Sequence, residues 1–368
     1  MTKRNILLNP GPATTTDSVK NALVVPDICP RENEFGNLMQ EIRNDLVKIV
    51  NGDENYTSIL LAGSGTAAMD STISSVVPYN KKILIIINGA YGIRFADIAK
   101  TYNIETVELE FEFGRKIELD KVEKILKEDN NISCVAVTHH ETTVGILNPI
   151  KEIGEFCKKY DKTFIVDTIS SFAGVTIDIK EDNIDFMMST SNKCIQGMAG
   201  VAFVICKKSK LEKLKNVKAR SYYLDLFNQF NYLEKNNQTR FTPPVQILYA
   251  LKQAIKELFK EGLENRVNRY RENYQELKEG LKKLGFRFLM SKDVKESNIL
   301  TTIYYLDHPN FDFNILHDKL YERGYTIYPG KVTKLDTFRL AVMGAINKQD
   351  IKSFLINLEQ VLKEMNII

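Results

Sequence analysis

TFIVDTISSF at residues 163–172 and IDFMMSTSNKCIQGMAGVAFVI at residues 184–205 say more about this chain than any other segment. Two apolar runs of strand length, 163–166 and 184–188, each give way to small polar residues. Parallel strands that end in this way deliver side chains to a site at their carboxyl edge. The first run delivers Asp167 and the second Lys193. A lone lysine near a strand end is usually solvated, and a lone aspartate usually caps the next helix. Here, however, Lys193 lies among Ser189, Thr190, Ser191, Asn192, Gly197 and Gly200 rather than on a charged helix face. A lysine kept away from other cations gives up its proton more readily.

An amine and a carboxylate on two such strand ends suit pyridoxal phosphate, which requires a lysine for a Schiff base and an acid for its ring nitrogen. Its anionic tail needs a site too. YTSILLAGSGTAAMDSTISSVV, residues 56–77, reads as strand, tight turn and helix, with Gly63, Ser64, Gly65 and Thr66 in the turn. Small residues there let backbone N–H groups approach a phosphate at a helix amino end, where the helix dipole favours an anion. The same GSGTAA is close to the dinucleotide fingerprint, so a nicotinamide enzyme is a rival reading. That fingerprint wants an acid about 20 residues on, at the end of the second strand. Here KKILIIIN ends in Asn88 and Gly89, with no acid.

Outward from these segments, NGAYGIRFADIAK (88–100) reads as a second loop entering a helix. Its Tyr91 either stacks on a flat ring or packs in the core. Strands follow at 106–110 and 134–138, the latter running into HHETTVGILNP. Thr142 and Thr143 there either serve a cofactor's phenolic oxygen or cap the following turn. Helical stretches at 120–128 and 150–160 separate the strands, so the region through residue 205 is expected to be α/β, a doubly wound and mostly parallel sheet. Residues 208–238 turn charged and aromatic, as in a surface or subunit contact. After Pro243 and Pro244, an exposed connecting helix is expected over 245–284. The boundary is placed along it, between a large domain over 1–260, whose amino-terminal segment contributes to the site, and a smaller α+β domain over 261–368. In the last strand, Arg339 either offers its planar fork to a substrate carboxylate or is an ordinary exposed charge.

Composition narrows the partners. The 368 residues carry 50 Lys and Arg against 47 Asp and Glu, a net +3, so no charge excess points to nucleic acid or an anionic membrane. No apolar run approaches the roughly 20 residues of a membrane span, and the amino terminus lacks the apolar stretch of an export signal. The 5 cysteines are odd in number and unpaired in spacing, which favours reduced thiols in a cytoplasm. The 4 histidines make no metal-ligand spacing with them, and no metal is expected.

LLNPGPATT, GSGT, NGAYGIR, HHETTVGILNPI, IVDTISSFAG, SNKCIQGMAGVAFVI, RFTPPVQ, IYPGK and FRLAVMG occur in this order over nearly the whole chain. Together they resemble the class V, fold type I aminotransferases, which use pyridoxal 5′-phosphate. The resemblance implies that Lys193 bonds the cofactor, that Asp167 pairs with the ring nitrogen and that Ser64, Gly65 and Thr66 hold the phosphate. Thr142 would approach the ring hydroxyl, Tyr91 would cover the ring, and Asn192 would lie beside the lysine. Arg339 would clamp the carboxylate of a 2-oxo acid acceptor. Thr242 would reach the phosphate bound by a neighbouring subunit, implying a homodimer with shared active sites. SNKCIQG and HHETT look most like members that take the amino group of 2-aminoethylphosphonate to pyruvate. The alternative is an alanine–glyoxylate or serine–pyruvate type. A phosphonate needs cations, for which Arg94, Arg220 and Arg240 are candidates. A cysteine desulfurase would need a thiol in the later part of the chain, and no cysteine follows Cys206. A non-catalytic sensor would be expected to carry an added DNA-binding module, for which neither end leaves room.

Overall fold

The computed structural model describes residues 5–290, 294–330 and 335–368; Lys331 of IYPGK lies outside them. The main sheet has seven strands, in the order Tyr56–Gly63, Gly200–Lys207, Phe186–Thr190, Thr163–Asp167, Ile132–Thr138, Lys82–Ile87 and Thr106–Glu110. Gly200–Lys207 runs antiparallel to both neighbours, and the remaining pairs are parallel. KILIII in Lys82–Ile87 and FMMST in Phe186–Thr190 are almost wholly buried, as expected of strands covered by helices on both faces.

Strand direction and register determine where the site can form. Tyr56–Gly63 pairs with an antiparallel strand that itself opposes Phe186–Thr190, so it points the same way as the parallel set. Gly63, Ile87, Thr138, Asp167 and Thr190 therefore all arrive at one edge, with Thr138 level with Asp167 and Asp167 level with Met188. Ligands in open α/β sheets bind outside this carboxyl edge.

A second apolar core is built from the helix Leu263–Lys283, the sheet formed by Leu300–Tyr304, Thr337–Ala341 and Tyr328–Pro329, and the helix Lys348–Glu364. Ile6, Leu8 and Ala13 belong to this core, although the sequence grouped the amino-terminal segment with the large domain. The cause is edge pairing. Ile6–Leu7 lies parallel to Tyr325–Thr326, the Ile6 N–H donates to the Gly324 carbonyl at 2.8 Å, and the Ala341 N–H donates to the Leu8 carbonyl at 2.7 Å.

The single exposed helix expected over 245–284 is corrected to two, Val245–Glu261 and Leu263–Lys283, separated by Gly262 at φ +85°. Glycine adopts that backbone at no steric cost. The first helix is no solvated connector, because Leu248, Leu251, Ile255 and Leu258 repeat at helical spacing and are buried. Among the described residues, no helix is long and apolar enough to cross a membrane.

Candidate active site

Lys193, Asp167, Ser64, Gly65, Thr66, Tyr91, Thr142 and Asn192 border one cavity of about 190 Å³ at the carboxyl edge. Ile169, Ser170 and Thr190 join them there, and sequence reasoning had named none of these three as site residues. Thr242 is exposed and outside the cavity, and Arg339 stands behind its wall. A wider cavity of about 730 Å³ is lined by the exposed Lys116, Asp120, Lys151 and Lys295 together with the buried His139 and Asn148, and it takes in none of these site residues.

Asp167 ends its strand with one carboxylate oxygen used and one unused. Oδ1 accepts the Ile169 N–H at 2.8 Å, whereas Oδ2 is buried with no partner. Burial pushes this carboxyl up to about 7 against the pull of the Ile169 N–H, and the nearby Glu141 adds to the rise. Lys193 follows the next strand, and its Nζ donates to the Pro10 carbonyl. Burial lowers its pKa, and the Arg339 charge adds to that lowering. The amino-terminal strap can cross the lysine only because position 11 is glycine. Gly11 has φ +114°, and a Cβ there would meet Lys193 Cδ at 2.6 Å.

Ser64 occupies the N-cap of the helix Gly65–Val76 without forming a side-chain cap bond. First-turn N–H groups have no intrahelical acceptors, so Gly65 and Thr66 bring free donors and the positive dipole end to the cavity. Arg94 also borders the cavity, its guanidinium 4.7 Å from the Tyr91 ring centroid and 3.3 Å from Thr66 Oγ1. The other two candidate cations are engaged elsewhere. Arg220 donates to the Ser74 and Val77 carbonyls, and Arg240 to the Tyr222 carbonyl.

The reading of Arg339 as an exposed strand charge is corrected, since it is 1% exposed. Its Nε donates to the Pro329 carbonyl at 3.2 Å and its Nη1 to the Thr142 carbonyl at 3.4 Å, fixing it against the segment that carries Thr142. Thr143 proves to be committed to Glu141, 2.6 Å from its Oε1, leaving Thr142 as the threonine at the cavity. Glu141 stands out in the sequence only as one of the polar residues crowding this strand end, with no role of its own, because its partners lie on a distant helix.

The donor set fits pyridoxal phosphate. A buried, unpartnered Asp167 Oδ2 is an acceptor awaiting a ring N–H, Lys193 is an amine with a lowered pKa, and a helix amino end suits the phosphate. The chain belongs to the class-V aminotransferases, a family that matches residues 18–331. It is 42% identical over 349 residues to a 2-aminoethylphosphonate–pyruvate transaminase of Bacillus cereus (strain G9842), with 94% of each chain covered. It is also 42% identical over 350 residues to a bifunctional phosphonoacetaldehyde hydrolase/aminoethylphosphonate transaminase of Clostridioides difficile (strain 630); 94% of this chain then spans 55% of that protein. Among solved structures, alanine–glyoxylate aminotransferase from Nostoc sp. is similar at TM-score 0.91 and 28% identity, over 98% of this chain and 96% of that one. By family, the chain is thus a pyridoxal-phosphate-dependent aminotransferase.

Proposed function

We propose that the chain transfers the amino group of 2-aminoethylphosphonate to pyruvate, releasing phosphonoacetaldehyde and alanine. The observation that carries the reading is Asp167 Oδ2, buried without a partner in the same cavity as Lys193. The specific donor is supported by relatives at 41–42% identity that bear this activity in their names.

Bound here, pyridoxal phosphate supplies an aldehyde that takes up and returns the amino group, and a ring that accepts electron density from the substrate carbon. Asp167 would accept the ring N–H and keep that nitrogen protonated. Lys193 would hold the cofactor through its Nζ and, once free, its neutral amine would serve as the base and acid that carries a proton from the substrate carbon. Burial favours the neutral amine that this work requires. Ser64, Gly65 and Thr66 would hold the phosphate, Thr142 would meet the ring hydroxyl, Tyr91 would cover one face and Asn192 would steady the lysine loop. Arg339 clamps the acceptor carboxylate. Arg94, the candidate cation that borders the cavity, faces the phosphonate.

Thr242 completes the phosphate site of a second copy in a homodimer, a reading supported by its exposure and by the exposed Tyr222 and Tyr223 packed against Phe241. The division into units over 1–260 and 261–368 places the cofactor residues in the first and Arg339 in the second. Free cysteines, four of them buried, support a cytoplasmic setting.

A donor screen tests the substrate. Protein loaded with pyridoxal phosphate is given pyruvate and, separately, 2-aminoethylphosphonate or serine, and alanine is measured; alanine with glyoxylate is run alongside, with glycine as the readout. Alanine is expected from the phosphonate. Turnover only with serine or with the alanine–glyoxylate pair would replace this donor with one of the other types.

A further inference from the structure

The helix Ala90–Thr101 brings Tyr91 and Arg94 to the cavity, yet its own N-cap residue, Gly89, has no side chain to hold its first N–H groups. Those donors would stay unsatisfied in a buried turn. They are satisfied instead from a strand end some 50 residues away. Glu141 Oε2 accepts the Tyr91 N–H at 3.1 Å, and the Gly92 N–H next to it also favours the ionised form of this carboxylate. Its Oε1 accepts the Thr143 N–H at 3.0 Å and the Thr143 hydroxyl at 2.6 Å. That hydroxyl in turn accepts the Ala90 N–H at 3.0 Å. Glycine at 89 leaves room for this arrangement, since a Cβ there would lie 2.2 Å from Glu141 Cδ.

Glu141 is wholly buried and every polar contact above is a donor to it. Burial pushes its carboxyl up, while these donors favour the ionised form. The positive end of the helix dipole works in the same direction. On its other side the segment is tied to the second core, by Arg339 Nη1 to the Thr142 carbonyl and by Thr302 Oγ1 to the Thr143 carbonyl at 3.1 Å. Residues 141–143 therefore hold a common register for Tyr91, Arg94, Thr142 and Arg339.

We infer that Glu141 is a positioning residue: with the Thr143 hydroxyl, it caps the helix Ala90–Thr101 from the neighbouring strand end and so sets where Tyr91 and Arg94 stand at the cofactor cavity. The capping rests on geometry alone, and its consequence for catalysis rests on the transaminase reading above.

Glu141→Gln tests both parts, because it keeps the shape but turns an amide N–H₂ toward backbone donors. In the cofactor-free protein, amide hydrogen exchange at Tyr91 and Gly92 should quicken by about tenfold, the scale of one lost cap. Exchange in the distant helix Lys348–Glu364 should not change. In the loaded protein, pyridoxal phosphate should bind about tenfold more weakly, with an altered induced circular dichroism band, because the covering ring has moved. Thr143→Val, which removes the hydroxyl's links to Ala90 and to Glu141 Oε1 but leaves the carboxylate on the Tyr91 N–H, should move the same readouts in the same direction by less. Uniformly faster exchange through the chain, or unchanged cofactor affinity and band, would overturn the positioning role. Failure of the wild-type chain to bind pyridoxal phosphate would overturn the transaminase reading instead, and the exchange measurement on cofactor-free protein would still judge the capping.

Discussion

The carboxyl edge of the large sheet and the junction just behind Lys193 are both deeply buried, but they treat their polar atoms in opposite ways. Around the edge, Asn9 Oδ1, Thr138 Oγ1, His140 Nε2 and Asp167 Oδ2 are buried without partners. At the junction, the Tyr270 hydroxyl donates to the Cys194 carbonyl at 3.2 Å and accepts from Gln196 Nε2 at 2.7 Å and from the Gly344 N–H at 3.0 Å. Arg266, as deeply buried, bonds Glu261 Oε2 at 2.7 Å and also reaches the Cys194 carbonyl. One unpartnered atom, Asn273 Oδ1, lies on the junction helix as the exception. A buried polar group without a partner costs stability, and a closed network rigidifies. Of the edge atoms, Asp167 Oδ2 belongs to a residue that borders the cavity and stays open there, while the junction uses its hydrogen bonds to hold the lysine loop against the second core.

The sharpest way to break this contrast is Lys193→Ala. Alanine formation should fall by at least about 10⁴-fold, since in the proposed function this one residue is both covalent anchor and proton carrier. The melting temperature of the cofactor-free variant should hold or rise, because a buried amine with a lowered pKa has been removed. Marked destabilisation would mean that the edge contributes to stability as the junction does.

Asp167→Asn should lower turnover by about 10²- to 10³-fold, with the ring nitrogen no longer facing a carboxylate. It also has a signature in the cofactor-free protein. The folded carboxyl titrates at about 7 against an ordinary value of 3.8, so the folded chain keeps a proton that the unfolded chain has released. The stability of the wild type relative to Asp167→Asn should therefore be greatest below the ordinary value and fall as pH rises through about 7. Thermal melts of both proteins across that window check the sign, and a difference that grows with pH would refute the burial argument.

Tyr270→Phe probes the other region. It strands the Gly344 N–H and the Gln196 amide, so urea unfolding should show a loss of about 1–3 kcal/mol. Catalysis should change by less than about tenfold in kcat, because no group that meets substrate has been removed. A larger catalytic than structural effect would move the junction into the working site.

Much of the site was legible because its signals are local. An apolar run ending in Asp167, a polar cluster around Lys193 and a glycine turn before a helix are each spelled within a few residues, and strand direction then carries them to one edge. The break at Gly262 was locally visible as a glycine, but continuous helical periodicity on both sides concealed it. Arg339 could not be assigned from its neighbours, since alternation along a strand gives a face and not what covers that face.

What the amino-acid order gave unaided was the α/β class and an acid, an amine and a glycine turn that come together at one cavity, because these depend on hydrophobic period and on the chemistry of adjacent residues. Folding in three dimensions alone decided that Pro10 meets a lysine 183 residues away, that the first strand joins the last core and that Glu141 bonds the start of a distant helix. Such contacts follow from the closure of long loops around two cores, and nothing in a window of a few turns encodes which remote carbonyl or N–H group will be there to meet them.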